Sequence, residues 1–161
     1  MGHIIIEGLD KTGKSTLARF LSEKTGMPVK KFSAPKEGEE PFNDYASFFV
    51  DGKPSVIDRC HLSEMAYGPV FRGSSSIDEA RQYALEELAI SAGAVGVYCE
   101  AEKEELVKRF EEDGEDFVKP GQIEELQAGF EKALSTSRLK WVRYRAGDDM
   151  DKVYEELRRA V

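Results

Sequence analysis

A chain of 161 residues, 40% hydrophobic and 34% charged, is long enough for one domain whose core buries roughly 70% of the unfolded surface. Its formal net charge of −8 argues against a broad nucleic-acid-binding face, and no apolar run approaches the ~18 residues of a membrane span. Cys60 and Cys99 have neither metal-ligand nor disulfide-framework spacing, and Met1-Gly2-His3 leads straight into an apolar run, so a cytoplasmic protein with reduced thiols and no signal peptide is expected.

His3 to Glu7 reads as a buried strand, and Ser15 to Lys24 as a helix with Leu17, Phe20 and Leu21 on one face, ended by Gly26-Met27-Pro28. Between them Gly8-x-x-x-x-Gly13-Lys14-Ser15 matches the phosphate-binding P-loop, with strand and helix where the mechanism needs them. Glycines let the backbone curl so that N–H groups point at phosphate oxygens, and the helix start adds the positive end of its dipole. Gly8, Lys11, Thr12, Gly13, Lys14, Ser15 and Thr16 are therefore expected to hold ATP. Lys14 reaches for the β- and γ-phosphates, and the Ser15 hydroxyl is a ligand for Mg2+.

Val29 to Phe32 is a short second strand, and Ser33 to Gly38 a loop. Pro41 to Val50 is a helix opened by its proline, in which Phe42, Tyr45, Phe48 and Phe49 suit core packing or a stacking ring for a base. After the turn Asp51-Gly52-Lys53-Pro54, Ser55 to Asp58 is a third strand that ends in Asp58-Arg59, and His61 to Phe71 is helical. Ser76 and Glu79 have capping-box spacing ahead of a helix over Ile77 to Ala92. Ala94 to Cys99 is the fourth strand, Glu102 to Glu112 a helix burying Leu106, Val107 and Phe110, and Asp113 to Gly121 a polar loop. Gln122 to Leu134 is a helix, Trp141 to Tyr144 the fifth strand, and a last helix follows the loop Arg145 to Asp148. The alternation predicts an α/β fold of the P-loop NTPase type: a three-layer sandwich, with a five-stranded parallel sheet, helices on both faces and ligands at the carboxyl ends of the strands. The whole chain, 1–161, reads as one domain with a small lid around 108–121.

Asp58-Arg59, ending a strand beside the P-loop, places a carboxylate and a guanidinium near bound phosphates. Asp58 can hold a water on Mg2+, and Arg59 can clamp an acceptor phosphate with two parallel hydrogen bonds. Taken without the P-loop, the same pair would be an ordinary surface ion pair.

With Glu7-Gly8-Leu9-Asp10-Lys11-Thr12-Gly13-Lys14-Ser15-Thr16 and Asp58-Arg59-Cys60-His61-Leu62-Ser63-Glu64-Met65-Ala66-Tyr67-Gly68 in view, the chain resembles the thymidylate kinase-like family of P-loop nucleoside monophosphate kinases, in its small phage-type branch. A weaker match, Glu105-Leu106-Val107-Lys108-Arg109, looks like the start of that family's lid. The resemblance implies that Asp10 contacts the acceptor sugar and a substrate-site arginine, that Lys11 reaches the transferring phosphoryl group, and that Arg59 clamps the acceptor phosphate. It implies Arg109 as the lid cation closing on ATP, with Lys14 catalytic alongside Lys11, Asp10 and Arg59. His61, Glu64, Tyr67 and Arg72 follow the Asp-Arg pair and are expected to line the acceptor site; Tyr67 as core and Arg72 as a surface cation is the alternative. Arg145, at a strand end, is positioned to flank the adenine. The segment from Ser33 to Ile57 is shorter than its counterpart in the fuller family members, which carries their base-reading residues.

The implied activity is Mg-ATP-dependent phosphoryl transfer to a (deoxy)nucleoside 5′-monophosphate, dTMP or another pyrimidine nucleotide, in an enzyme that the resemblance makes a homodimer. Two other acceptors remain open. A nucleoside kinase would need a carboxylate base near a neutral 5′-hydroxyl, for which Glu37 is the candidate. A kinase of a nucleic-acid end or a modified base would profit from the more open cleft and be opposed by the acidic balance.

Overall fold

The computed structural model describes residues 1–36, 38–114 and 118–161. Ile4–Gly8 (β1) is buried along its whole length. Because strand side chains alternate between faces, Ile4 and Ile6 join Leu17, Leu21, Val153 and Leu157 in one cluster, while Ile5 joins Tyr45, Phe49 and Leu85 in another. A strand buried on both faces belongs at the middle of a parallel sheet. β1 does lie there, in the order β2-β3-β1-β4-β5, with β2 Val29–Lys31, β3 Val56–Asp58, β4 Val95–Glu100 and β5 Trp141–Arg145. Every pairing is parallel, with Ile6 opposite Asp58 and Gly8 opposite Cys99.

Two helices, α1 (Lys14–Thr25) and α7 (Met150–Ala160), cover the Ile4–Ile6 face. The other face carries α2 (Phe42–Asp51), α3 (His61–Arg72), α4 (Glu79–Ser91), α5 (Lys103–Asp113) and α6 (Pro120–Thr136). The expected α/β sandwich is thus the observed one. From β1 the chain runs outward to β2, returns to β3, and then crosses to β4 on the opposite side. That reversal leaves a crevice at the carboxyl ends of β1 and β3, where the P-loop and Asp58-Arg59 both lie. No helix among the described residues is long and apolar enough to cross a membrane.

Some boundaries differ from the sequence reading, each for a local reason. α4 starts at Glu79, capped by Asp78, whose carboxylate accepts the Arg81 N–H at 2.8 Å. Ser76 is therefore not the cap; its N–H and hydroxyl donate to Glu64 at 3.1 and 3.0 Å. α6 begins at Pro120, earlier than expected, because proline suits the first helical turn and the Gln122 side chain accepts the Lys119 N–H at 2.9 Å. Within the expected lid, 108–113 forms the last part of α5, with Phe110 packed into a core that also holds Val118, Ile123 and Leu126. Residues 115–117 of that segment lie outside the described residues.

Candidate active site

The P-loop leaves β1 at Gly8, whose φ of +142° is one that L side chains rarely adopt. A β-carbon there would stand 2.4 Å from the Cys99 carbonyl oxygen of the neighbouring strand. Gly13, at φ +88°, opens α1 with no side chain of its own to cap the first turn, so the helix N–H groups stay free for an anion. Lys14 lies at the base, 6% exposed, its ammonium donating to the Leu9 carbonyl at 2.6 Å and 3.8 Å from Asp10. Burial pulls Lys14 below the ordinary lysine range; Cys99, Asp58 and Glu7 around it oppose that shift. Cys99 and Cys60 are free and buried, as expected of reduced thiols.

Asp10, Lys11, Lys14, Ser15 and Thr16 line a cavity of about 240 Å3 together with Lys31, Asp58 and Arg59. Asp58 is 5% exposed, and its Oδ1 has no hydrogen-bond partner. An orphaned buried carboxylate oxygen in a cavity also lined by the exposed Ser15 suits a hydrated cation. The Ser15 hydroxyl and the Asp58 carboxylate, which line the same cavity, are hard oxygen donors of the kind Mg2+ takes, an ion that keeps several waters and draws much of its coordination from substrate phosphates.

The second half of the site is built at the start of α3. Arg59 sits at φ +68°, and its N–H donates to the Ile6 carbonyl at 3.0 Å, which ties the turn to β1. Lys11 and Arg59 are the non-glycine residues at positive φ among those described, and such backbone strain costs roughly 1–3 kcal/mol each. The guanidinium of Arg59 pairs with Asp10 and lies 5.7 Å from the centre of the Tyr67 ring.

Beyond Arg59 is a smaller, mostly apolar cavity of about 90 Å3. Phe32, Tyr45, Tyr67 and Phe71 give its aromatic walls, and Ser63, Glu64 and Arg72 its polar ones. Tyr67 and Phe71 stack with ring centres 5.8 Å apart and planes at 16°. The Tyr67 hydroxyl is buried without a partner, and burial pushes its pKa up to about 12. Glu64 is buried; it pairs with Arg72 and takes both Ser76 bonds.

The expected acceptor-site residues divide. Arg59, Glu64, Tyr67 and Arg72 converge on this cavity, whereas His61 does not reach it. Its ring is fully buried, with Nε2 2.7 Å from Glu86 on α4, so it binds helix to helix instead. Of the aromatic candidates on α2, Tyr45 reaches the wall, while Phe49 is core and Phe48 packs on Phe32 and His3. Phe32 and Phe71 escaped the sequence reading. Phe32 follows β2 at its carboxyl end, and Phe71 lies one helical turn after Tyr67; those positions were the available signals.

On the other side, the Arg109 guanidinium donates to the Lys11 carbonyl and pairs with Glu105, while the Lys11 ammonium pairs with Asp113. Both cations are thus held between α5 and the P-loop. Arg145 is exposed and pairs with Glu102 at 2.9 Å and Glu100 at 3.4 Å; it is not among the residues lining the P-loop cavity. Glu37, the candidate base for a nucleoside acceptor, lies outside the described residues.

No protein-family model matches the chain, and no curated protein matches it in sequence. Solved structures do. The chain is similar to the YorR protein of Bacillus subtilis in complex with phosphorylated GDP, at 25% identity over 97% of this chain and 93% of that one, with a TM-score of 0.82. It shares its fold with deoxyadenosine kinase from M. mycoides with bound dATP, at 15% identity over 98% and 100% of the two chains and a TM-score of 0.62. Thymidylate kinase from Candida albicans has the same fold at 19% identity, over 98% and 90% of the chains, with a TM-score of 0.53. The architecture is that of the P-loop nucleoside and nucleotide kinases.

Proposed function

We propose that this protein is a Mg-ATP-dependent kinase that phosphorylates a nucleoside 5′-monophosphate, a pyrimidine deoxynucleotide such as dTMP. One observation carries the reading: Arg59 is the residue common to the P-loop cavity and the aromatic cavity. A cation on that boundary fits an acceptor that carries an aromatic base at one end and a phosphate at the other. The neighbours support a nucleotide ligand: the YorR structure holds phosphorylated GDP, and a deoxyadenosine kinase structure from M. mycoides holds dCMP and dCDP as products, the first of which speaks as much for a nucleoside acceptor.

In this reading ATP lays its phosphates along the P-loop N–H groups and Lys14. Arg59, oriented by Asp10, clamps the acceptor phosphate so that one of its oxygens faces the γ-phosphorus. That oxygen bonds to the phosphorus as the bond to the bridging β–γ oxygen breaks, giving a nucleoside diphosphate and ADP. The transferring group carries its charge on peripheral oxygens, so catalysis is positioning plus neutralisation by Lys11, Lys14, Arg59 and Arg109. Ser15, and Asp58 through a water, would hold Mg2+, which would supply positive charge against the phosphates.

An ADP-release assay across 5′-monophosphates, free nucleosides and DNA oligonucleotides tests the reading. Turnover with monophosphates is expected. Turnover confined to nucleosides or to oligonucleotides overturns it.

A further inference from the structure

We infer that the buried pair His61–Glu86 positions Arg59 for the reaction: it holds that residue in its positive-φ backbone conformation and so aims the guanidinium at the acceptor phosphate. The inference rests on the nucleotide-acceptor reading above and deepens it.

Arg59 is held unequally on its two sides. On the amino side the sheet fixes it, with Asp58 opposite Ile6 of β1 and the Arg59 N–H on the Ile6 carbonyl. On the carboxyl side there is no strand ladder. Cys60 turns the chain at φ −149° and ψ −140° without capping it, and α3 begins at once with His61. A positive φ in a non-glycine residue persists only where the flanking structure imposes it. For Arg59, at φ +68°, the carboxyl-side constraint therefore comes from whatever grips the first turn of α3.

Two anchors grip that turn. The Ser63 N–H and hydroxyl donate to Glu7 on β1, and His61 donates from Nε2 to Glu86 on α4, 2.7 Å away. Residues two apart on a helix face roughly opposite ways, so the turn is held from both sides. His61 is the anchor nearer to Arg59 in the chain. Its ring is fully buried and its Nδ1 has no hydrogen-bond partner, which leaves Glu86 as its polar anchor among the described residues.

Glu86 is itself immobilised. Its Oε1 accepts the Arg138 N–H at 2.6 Å and its Oε2 the Ser137 hydroxyl at 2.8 Å, which ties α4 to the connection between α6 and β5. An apolar filling of the same volume would hold the helices together as well, because desolvating an ionised carboxylate is costly. What the buried bond adds is direction: it gives the ring one orientation, and with it the turn that carries Arg59. Neither His61 nor Glu86 lines the P-loop cavity or the aromatic one, so both act through Arg59 and not on substrate.

The test is a double-mutant cycle with both substrates varied. His61→Leu removes the anchor but fills the space; it is expected to lower kcat/KM for the monophosphate by about tenfold, with KM for ATP little changed. His61→Gln, whose amide N–H can stand near the place of Nε2, is expected to recover most of that loss. In an Arg59→Ala background His61→Leu is expected to change kcat/KM by less than about twofold, because the group it positions is gone. Thr136→Val removes the bond from Thr136 to Gln82, at the far end of the same network, and is expected to leave the kinetics unchanged. Should His61→Leu prove unfolded, Glu86→Gln takes its place in the cycle, since it weakens the anchor and keeps the shape.

Wild-type kinetics in the anchor variant, equal losses for both substrates, or the full loss repeated in Arg59→Ala overturns the inference and leaves kinase activity standing. So does a His61→Gln no better than His61→Leu, or a Thr136→Val as damaging. If no monophosphate turns over, the proposed reaction fails, and binding by calorimetry decides the inference separately. The affinity for dTMP over thymidine isolates the phosphate contact; this ratio is expected to fall in the anchor variant, and a ratio unmoved there overturns the inference.

Discussion

Glu7, on the central strand, caps the helix that begins after Arg59: its carboxylate accepts the Ser63 N–H at 3.1 Å and the Ser63 hydroxyl as well. The residue at the helix boundary, Cys60, makes no side-chain cap bond, so this long-range carboxylate takes over that role. Glu7 also directly precedes Gly8, the first P-loop residue. One buried side chain thereby fixes the distance between the two halves of the cleft. Ser63→Ala removes one bond and leaves the N–H contact, so a modest loss of roughly 1 kcal/mol by urea unfolding is expected. Glu7→Gln keeps the shape but cannot accept at both oxygens. It is expected to lower kcat more than it lowers the unfolding midpoint, because the relation between Lys14 and Arg59 loosens.

Lys14→Met should abolish transfer with the fold intact. The lysine is buried at a desolvation cost, so removing its charge does not weaken the core. A loss of kcat by at least about a hundredfold is expected, with an unfolding midpoint at or above that of wild type. Turnover close to wild type would remove the P-loop assignment.

Arg59→Ala should raise KM for a monophosphate acceptor and lower kcat together, for a combined loss of about a hundredfold in kcat/KM, since the clamp both binds and aligns the phosphate. KM for ATP should change far less. Steady-state kinetics with each substrate varied in turn separates the two. Equal effects on both substrates would place Arg59 on the ATP side.

The pH dependence of stability is set in part by Glu86. Burial pushes its carboxyl up, but the hydrogen bond and charge of His61, with bonds from the Arg138 N–H and the Ser137 hydroxyl, outweigh that and hold it below its usual range. A folded value lower than the unfolded one favours the ionised carboxylate in the fold. Its contribution is complete above the unfolded value, about 4.3, and is lost as pH falls through the lowered folded value. Urea midpoints measured from neutral pH into the acid range should show this loss, and Glu86→Gln should flatten that part of the curve while costing stability at neutral pH.

What could be read from the sequence was what is local in it. Gly8 to Ser15 declares itself because a strand, a loop and a helix start are contiguous. Asp58-Arg59 declares itself because it closes a strand that must lie near that loop. The burial of His61 was not legible because its partner, Glu86, is on another helix and nothing near His61 names it. The cap on α3 was hidden for the same reason, Glu7 and Ser63 being joined only once β1 and α3 pack. The aromatic cavity draws Phe32, Tyr45 and Phe71 from three separate segments, so no single stretch carries its pattern. The partners of the cations near β5 are likewise distant in sequence: Arg138 pairs with Glu87, Arg143 with Glu100 and Glu131, and Arg145 with Glu100 and Glu102.

The wall shared at Arg59 has a consequence for ligand design. Two nucleosides joined by an oligophosphate tether could fill both cavities at once, with the tether running past that guanidinium. The second half then binds at the high effective concentration the first confers, provided the tether spans the gap. Too short a tether forfeits the gain altogether, and too long a one dilutes it. Dissociation constants across a series of tether lengths would therefore act as a molecular ruler, reporting in solution how far the two cavities stand apart.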